Sequence, residues 1–79
     1  MPERTYTLQL TGTDLFIIRF ELERVADEHD KSAEMTAELV AAGYGTVKDT
    51  AYWREQAANC RAVVAKAQAA LDAGPGLGV

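Results

Sequence analysis

The sequence has few of the residues that build catalytic, metal-binding or disulfide-stabilised sites. Its 79 residues include one cysteine, Cys60, and one histidine, His29. A single cysteine forms no internal disulfide, and Cys60 lies on an apolar stripe, so we interpret it as a packed thiol in a reducing compartment. No metal ligand stands three or four residues from His29, and no Ser, His and acid combination is evident. The sequence predicts no enzyme activity, no metal and no cofactor.

Long hydrophobic runs and concentrated positive charge are also absent. No apolar run approaches the ~18 residues of a membrane span, and no signal peptide opens the chain, which predicts a cytoplasmic protein without a membrane partner. Eight Lys and Arg residues stand against twelve Asp and Glu residues, giving a net charge of −4. Because the basic residues are also dispersed, the sequence argues against nucleic acid as a partner.

Two apolar stripes with helical spacing are the main pattern that is present. At about 100° per residue, each stripe covers one side of a helix while charged residues fall elsewhere. We interpret them as the two helices of an antiparallel hairpin. The first stripe contains Leu15, Ile18, Leu22, Val25, Ala26, His29, Ala33, Thr36 and Val40, and the second contains Trp53, Ala57, Cys60, Val64, Ala67 and Leu71.

The two stripes also suggest a pairing register. If the chain reverses near Thr46, apolar positions of one stripe meet apolar positions of the other without adjustment. In this register His29 faces Val64, which makes it the one candidate for a pH-sensitive position. The predicted facing pairs are Val40 with Trp53, Ala33 with Cys60, His29 with Val64, and Leu22 with Leu71.

The segment before the first helix alternates apolar and polar residues from Thr5 to Leu10, which predicts a single β-strand. Thr11 and Asp14 then form a T-x-x-D capping signal for a helix. An alternative makes residues 11–14 a hairpin turn and residues 16–22 a second strand. We favour the helix because its stripe continues without a breaker.

Glycines and a second capping signal predict where the helices end. Gly43 is the expected left-handed cap of the first helix, and the segment from Thr46 to Asp49 repeats T-x-x-D before the second, although Asp49 or Thr50 could cap instead. Gly74 and Pro75 end the second helix. The predicted organisation is one strand-helix-helix domain over residues 1–73, followed by a disordered tail over residues 74–79.

An apolar segment at the start of the first helix predicts self-association. In the register above, the second helix ends opposite Phe20, so the first turns of its partner project beyond it and must be covered. We therefore expect the mostly α fold to be completed by homodimerisation, with strands pairing across a two-fold axis. The predicted interface consists of Tyr6, Leu8, Leu10, Phe16, Ile17 and Phe20.

Two classes of binding function remain open at this point. In the first, the dimer binds another protein through Tyr44, Tyr52 and Arg54 near the loop, where the same side chains could simply plug the end of the hairpin. In the second, the oligomer encloses a small anionic or nucleotide ligand between subunits. The candidate residues for that role are Arg19, Arg24 and Arg61. The acidic total charge favours the first class.

Three segments carry a resemblance to a group of known proteins. Thr5 to Thr11 running into a capped helix, Ala42 to Val47, and Ala51 to Glu55 together resemble small accessory proteins encoded by actinobacterial phages. The resemblance implies a protein that acts in the host cytoplasm by binding a host protein or inhibiting a defence system. Phage sponge proteins that sequester cyclic nucleotides are also small, helical and oligomeric, but their residue patterns are not found here.

Overall fold

Two long α-helices joined by a tight loop make up the fold. The computed structural model describes residues 3–74, in which α1 spans Gly12–Ala41 and α2 spans Val47–Ala73. Arg19 of α1 meets Gln68 near the end of α2, and His29 meets Trp53 near its beginning, so the helices run antiparallel. The predicted helical hairpin is confirmed. The predicted disordered tail lies, apart from Gly74, outside the described residues.

The start of α1 is set by the predicted capping box. The backbone N–H of Asp14 donates to the Thr11 hydroxyl at 3.1 Å, and the backbone N–H of Thr11 donates to the Asp14 carboxylate at 2.9 Å. Two N–H groups that have no partner inside the helix are satisfied in this way. Residues 16–22 are helical, so the alternative with a second strand there is wrong.

The end of α1 follows the Schellman pattern. Gly43 has φ +94°, the N–H of Tyr44 donates to the Leu39 carbonyl at 2.7 Å, and the N–H of Gly43 donates to the Val40 carbonyl at 3.0 Å. Glycine reaches a positive φ without the clash that a Cβ would cause. The prediction that Gly43 terminates the helix is confirmed.

The start of α2 also lies at the predicted signal. Thr46 is the N-cap, and its backbone N–H donates to the Asp49 carboxylate at 2.8 Å. The carboxylate close to the N-terminus is further favoured by the helix dipole. The interpretation that places the cap at Asp49 or Thr50 is therefore wrong, because the helix already begins at Val47.

We expect Gly45→Ala to be more destabilising than Gly43→Ala. Both glycines have positive φ, but a Cβ on Gly45 would lie 2.9 Å from the Asp49 carboxylate, whereas a Cβ on Gly43 meets nothing within 4 Å. Gly43→Ala therefore loses about 1 kcal/mol for backbone strain alone, and Gly45→Ala also disturbs the cap, for a total of about 1.5 kcal/mol. Urea unfolding of the two variants, followed by circular dichroism, measures the difference. Equal stability of the two would contradict the role of Asp49.

The interface between the helices is a narrow seam centred on alanines. Ala26, Ala33, Ala57 and Ala67 are each at most 5% exposed, and every other residue of the two predicted stripes is half-buried. Small side chains let the two backbones approach closely. The prediction of which faces of the helices meet is confirmed.

The predicted register of the two helices is wrong, by about three helical turns at the position of His29. His29 was expected to face Val64, but its ring lies 5.4 Å from that of Trp53, between centroids. The chain reverses over residues 42–46, earlier than the reversal expected near Thr46. When the midpoint of the reversal moves by one residue, each residue of α1 faces a residue of α2 that is two positions away from its former partner. Because both stripes follow a near-heptad repeat, they still match after the shift.

The predicted N-terminal β-strand is also wrong. Residues 3–11 have no regular secondary structure, and no strand occurs anywhere between residues 3 and 74. A strand needs a partner for its N–H and C=O groups, and the described part of the chain offers only helices, whose backbone groups are already bonded. The alternation from Thr5 to Leu10 therefore has no structural counterpart in the single chain.

Candidate functional site

An exposed apolar patch lies at the open end of the hairpin. Phe16, Ile17 and Phe20, which we call the tip patch, are 51%, 53% and 57% exposed. The rings of Phe16 and Phe20 stack with centroids 6.4 Å apart, and the Arg19 guanidinium carbon lies 5.4 Å from the Phe16 centroid. Three large side chains one turn apart form a continuous apolar surface, as is typical of protein contacts.

The tip patch is exposed for a different reason from the one expected. The sequence predicted that α1 projects beyond α2, but a Cβ placed on Gly12 would lie 3.9 Å from the Leu71 side chain, so α2 covers the whole inner side of α1. The projection is therefore wrong. Phe16, Ile17 and Phe20 are exposed because they lie on the sides of α1 turned away from the seam.

The other predicted interface residues lie before α1. Tyr6 and Leu8 are 77% and 75% exposed, and Leu10 is 42% exposed. Leu10 lines a shallow groove of about 430 Å³ at the open end, together with Leu15 and Leu71. The structure thus places Leu10 and the tip patch at one end of the hairpin, whereas the strand that was to present Tyr6, Leu8 and Leu10 is absent from the described residues.

Arg24 is bonded to two carboxylates of its own helix. Its guanidinium donates to Glu21 at 2.9 Å and to Glu28 at 2.6 Å, on the exposed side of α1. The hydrogen bond that Arg24 donates to Glu21 and the charge of Glu28 raise the pKa of Arg24. Exposed ion pairs of this spacing are individually weak, so Arg24 remains able to exchange partners.

Arg61 connects the two helices. Its guanidinium donates to Asp27 of α1 at 3.3 Å and to both carboxylate oxygens of Asp30, at 2.5 and 3.3 Å. The hydrogen bond from Arg61 lowers the pKa of Asp30, and the carboxylates raise the pKa of Arg61, the Asp30 hydrogen bond being the largest contribution. This bridge lies on one flank of the hairpin and adds a polar contact to the apolar seam.

The three arginines proposed for an anionic ligand do not converge. Arg19 donates to the Gln68 side chain, Arg24 is bonded to two glutamates, and Arg61 is bonded to two aspartates. Arg19 and Arg24 are five residues apart on one helix, which separates their directions by about 140°. No shared pocket brings them together, and among the described residues Arg19 is the one of the three whose partner is a neutral amide and not a carboxylate.

The predicted cluster near the loop is divided between two sides of α2. Tyr44 and Tyr52 are 70% and 54% exposed, and the Tyr52 ring meets Trp53 edge-on with centroids 5.1 Å apart. Arg54 is two residues further, on the opposite side of the helix, where it lines a shallow groove with Val40 and Val47. Arg54 and Tyr52 therefore point to opposite sides of α2, and a partner-binding surface that includes both stays a prediction.

Two exposed apolar residues of α1 were not identified from the sequence. Met35 and Leu39 are 66% and 53% exposed on the outer side of the helix. The spacing between Ile17 and Met35 could have identified Met35. The two residues are 18 positions apart, which is about five complete helical turns, so their side chains point in the same direction from α1. The apolar tip and this second apolar position therefore share one side of α1.

Comparison with known proteins adds no family to this description. No family model, curated protein or solved structure matches the chain. The resemblance to phage accessory proteins therefore stays a prediction. In the described part of the chain, neither helix is both long and apolar enough to cross a membrane, and no three His, Cys, Asp or Glu side chains are grouped to hold a metal ion.

Proposed function

We propose that this chain is a non-enzymatic protein-binding module that works as a homo-oligomer, in its simplest form a dimer. Its surface supports the proposal. Among the described residues, full burial is limited to four alanines, whereas twelve large apolar side chains are between 42% and 77% exposed. Helices with so much exposed apolar side chain are usually covered by another polypeptide.

The total accessible area supports the same proposal. The chain exposes 6491 Å², whereas a compact monomer of 8.6 kDa exposes about 4,700 Å². The difference of roughly 1,800 Å² exceeds the ~800 Å² that each partner loses in an interface of standard size. Part of the excess comes from residues 3–11, which lie outside the helices and are exposed. Another part comes from the flat shape, 14 Å in its shortest dimension, because one layer of helices has no second layer to cover it.

The alternative of an anionic ligand between subunits is less well supported, because its three arginines do not converge and two of them, Arg24 and Arg61, are already paired with carboxylates of the same chain. Inhibition of a host protein by a phage-encoded module stays a prediction from resemblance. The proposal therefore specifies the type of interaction, which is protein with protein.

Phe20→Glu tests the proposal. We expect wild-type protein to sediment with the mass of two or more chains at micromolar concentration, and Phe20→Glu to weaken the association at least about tenfold, or 1.4 kcal/mol. The matched control is Val47→Glu, which places the same charge on an apolar side chain that is 74% exposed, at the start of α2. A wild-type mass of one chain, or equal dissociation by both variants, would contradict the proposal.

A further inference from the structure

The outer side of α1 carries a second stripe that α2 does not contact. Its members follow one another at steps of four and three residues, as in a coiled-coil seam, and all are exposed. Apolar residues stand at its two ends and charged residues between them. We call this stripe the outer seam, and it consists of Ile17, Glu21, Arg24, Glu28, Lys31 and Met35.

We propose that a second copy of this chain packs antiparallel along the outer seam, with a two-fold axis near Ala26. This inference rests on the proposed self-association and adds the surface, the orientation and the register. In this arrangement every position of the outer seam meets its chemical complement on the second copy. The facing pairs are Ile17 with Met35, Glu21 with Lys31, and Arg24 with Glu28, each occurring twice by symmetry.

Charge complementarity selects this orientation over the parallel one. In a parallel pair in register, Glu21 would face Glu21 and Arg24 would face Arg24, and such like-charge contacts are unfavourable. Moving the antiparallel pair by one heptad in one direction places Ile17 against Glu28. Moving it in the other direction places Arg24 against Met35. Only one register pairs apolar with apolar and acid with base along the whole outer seam.

The ends of the outer seam are continuous with the remaining exposed apolar surface of α1. Ile17 adjoins Phe20 of the tip patch, and Met35 lies one turn from Leu39. Because the pairing is antiparallel about Ala26, Phe20 of one copy lies opposite Ser32 of the other, and Leu39 lies opposite Thr13. Ile17 and Met35 are then covered by a single symmetric interface, with Phe20 and Leu39 at its edges.

The ion pairs within one chain do not oppose this arrangement. Arg24 already bonds Glu21 and Glu28 of its own helix, but these side chains are 52% to 58% exposed and their pairs are weak. A guanidinium has five N–H donors, so Arg24 can bond its own Glu28 and Glu28 of the second copy together. Association thus adds charge pairs without leaving an unpaired charge at the interface.

Charge-reversed partners test the inference. R24E/K31E makes the charged positions of the outer seam acidic, and E21K/E28K makes them basic. We expect each variant alone to associate at least about tenfold more weakly than wild type, and an equimolar mixture to recover the wild-type mass. The control K48E/K66E makes the same change of net charge as R24E/K31E, but at exposed positions of α2, and should keep the wild-type mass. Circular dichroism verifies that every variant is helical.

A cysteine pair tests the orientation independently. The two single variants Ile17→Cys and Met35→Cys are made in a Cys60→Ser background. Positions 17 and 35 of one chain lie about 27 Å apart along the helix, which is too far for a disulfide, so the two positions can be linked only between chains. We expect mild oxidation to link a mixture of the two single variants into covalent dimers, and to leave each single variant alone unlinked. If Ile17→Cys links to itself, the antiparallel orientation is wrong.

The outcomes separate this inference from the proposed function. Wild-type protein with the mass of one chain overturns both. Wild-type dimers without recovery on mixing, or without the disulfide between positions 17 and 35, overturn the outer seam alone and leave self-association through another surface. If the charge variants lose their helicity, the disulfide between positions 17 and 35 alone decides whether the second copy packs along the outer seam.

Discussion

Replacing Ala26 with leucine is expected to lower the free energy of unfolding by about 2 to 3 kcal/mol. Ala26 is completely buried between the helices. The seam contains alanines on both sides, so the two backbones are close and offer no space for three additional carbon atoms. The larger side chain must push α2 away, which weakens every other contact along the seam. Thermal unfolding followed at 222 nm, at a fixed protein concentration, measures the loss.

Ala62→Leu is the matched control for this substitution. Ala62 is an exposed alanine of α2, so the same enlargement there meets solvent. Since leucine and alanine have similar helix propensities, we expect its stability to stay within about 0.5 kcal/mol of wild type. Equal stability of Ala26→Leu and wild type would mean that the helices are not packed through the alanine seam.

Trp53→Ala is expected to cost about 2 kcal/mol of stability. Trp53 is the largest side chain of the seam, half-buried, and its ring lies 5.4 Å from His29 and 5.1 Å from Tyr52. Its removal leaves a cavity that alanine neighbours cannot fill by moving into it. Tyr52→Ala, on the exposed neighbour, should cost less than about 1 kcal/mol. Urea unfolding of both variants gives the comparison.

The same tryptophan tests the register of the hairpin. A double-mutant cycle between His29→Ala and Trp53→Ala should give a coupling of about 0.5 to 1.5 kcal/mol, as is usual for aromatic pairs in contact. The corresponding cycle between His29→Ala and Val64→Ala should be additive to within about 0.5 kcal/mol. Coupling to Val64 in place of Trp53 would restore the register predicted from the sequence.

Most of the fold was predictable because its signals are local. Thr11 and Asp14 form the cap that their spacing indicates, and Gly43 ends α1 with a positive φ. Helical periodicity placed all four buried alanines of the seam on the predicted stripes. The strand prediction failed because alternation from Thr5 to Leu10 is a local signal, whereas a strand needs a partner that no local pattern supplies.

The candidate site was predictable only in part. Phe16, Ile17 and Phe20 were identified as exposed apolar residues, but the reason given for their exposure was wrong, since it depended on the register. Tyr52 and Arg54 were grouped by closeness in sequence, although residues two apart on a helix point to opposite sides. Met35 was missed because its relation to Ile17 spans five turns and becomes visible only on a continuous helix.

The sequence by itself determined where both helices begin and end and which of their sides are apolar, since capping, glycine conformation and periodicity act within a few residues. The tertiary structure alone decided how the helices align. A seven-residue repeat is satisfied equally well after a shift of one repeat, so the loop over residues 42–46 selects among registers that the stripes cannot distinguish. With the register set, Ile17 and Met35 lie on the exposed side of α1, on the surface proposed for the second copy.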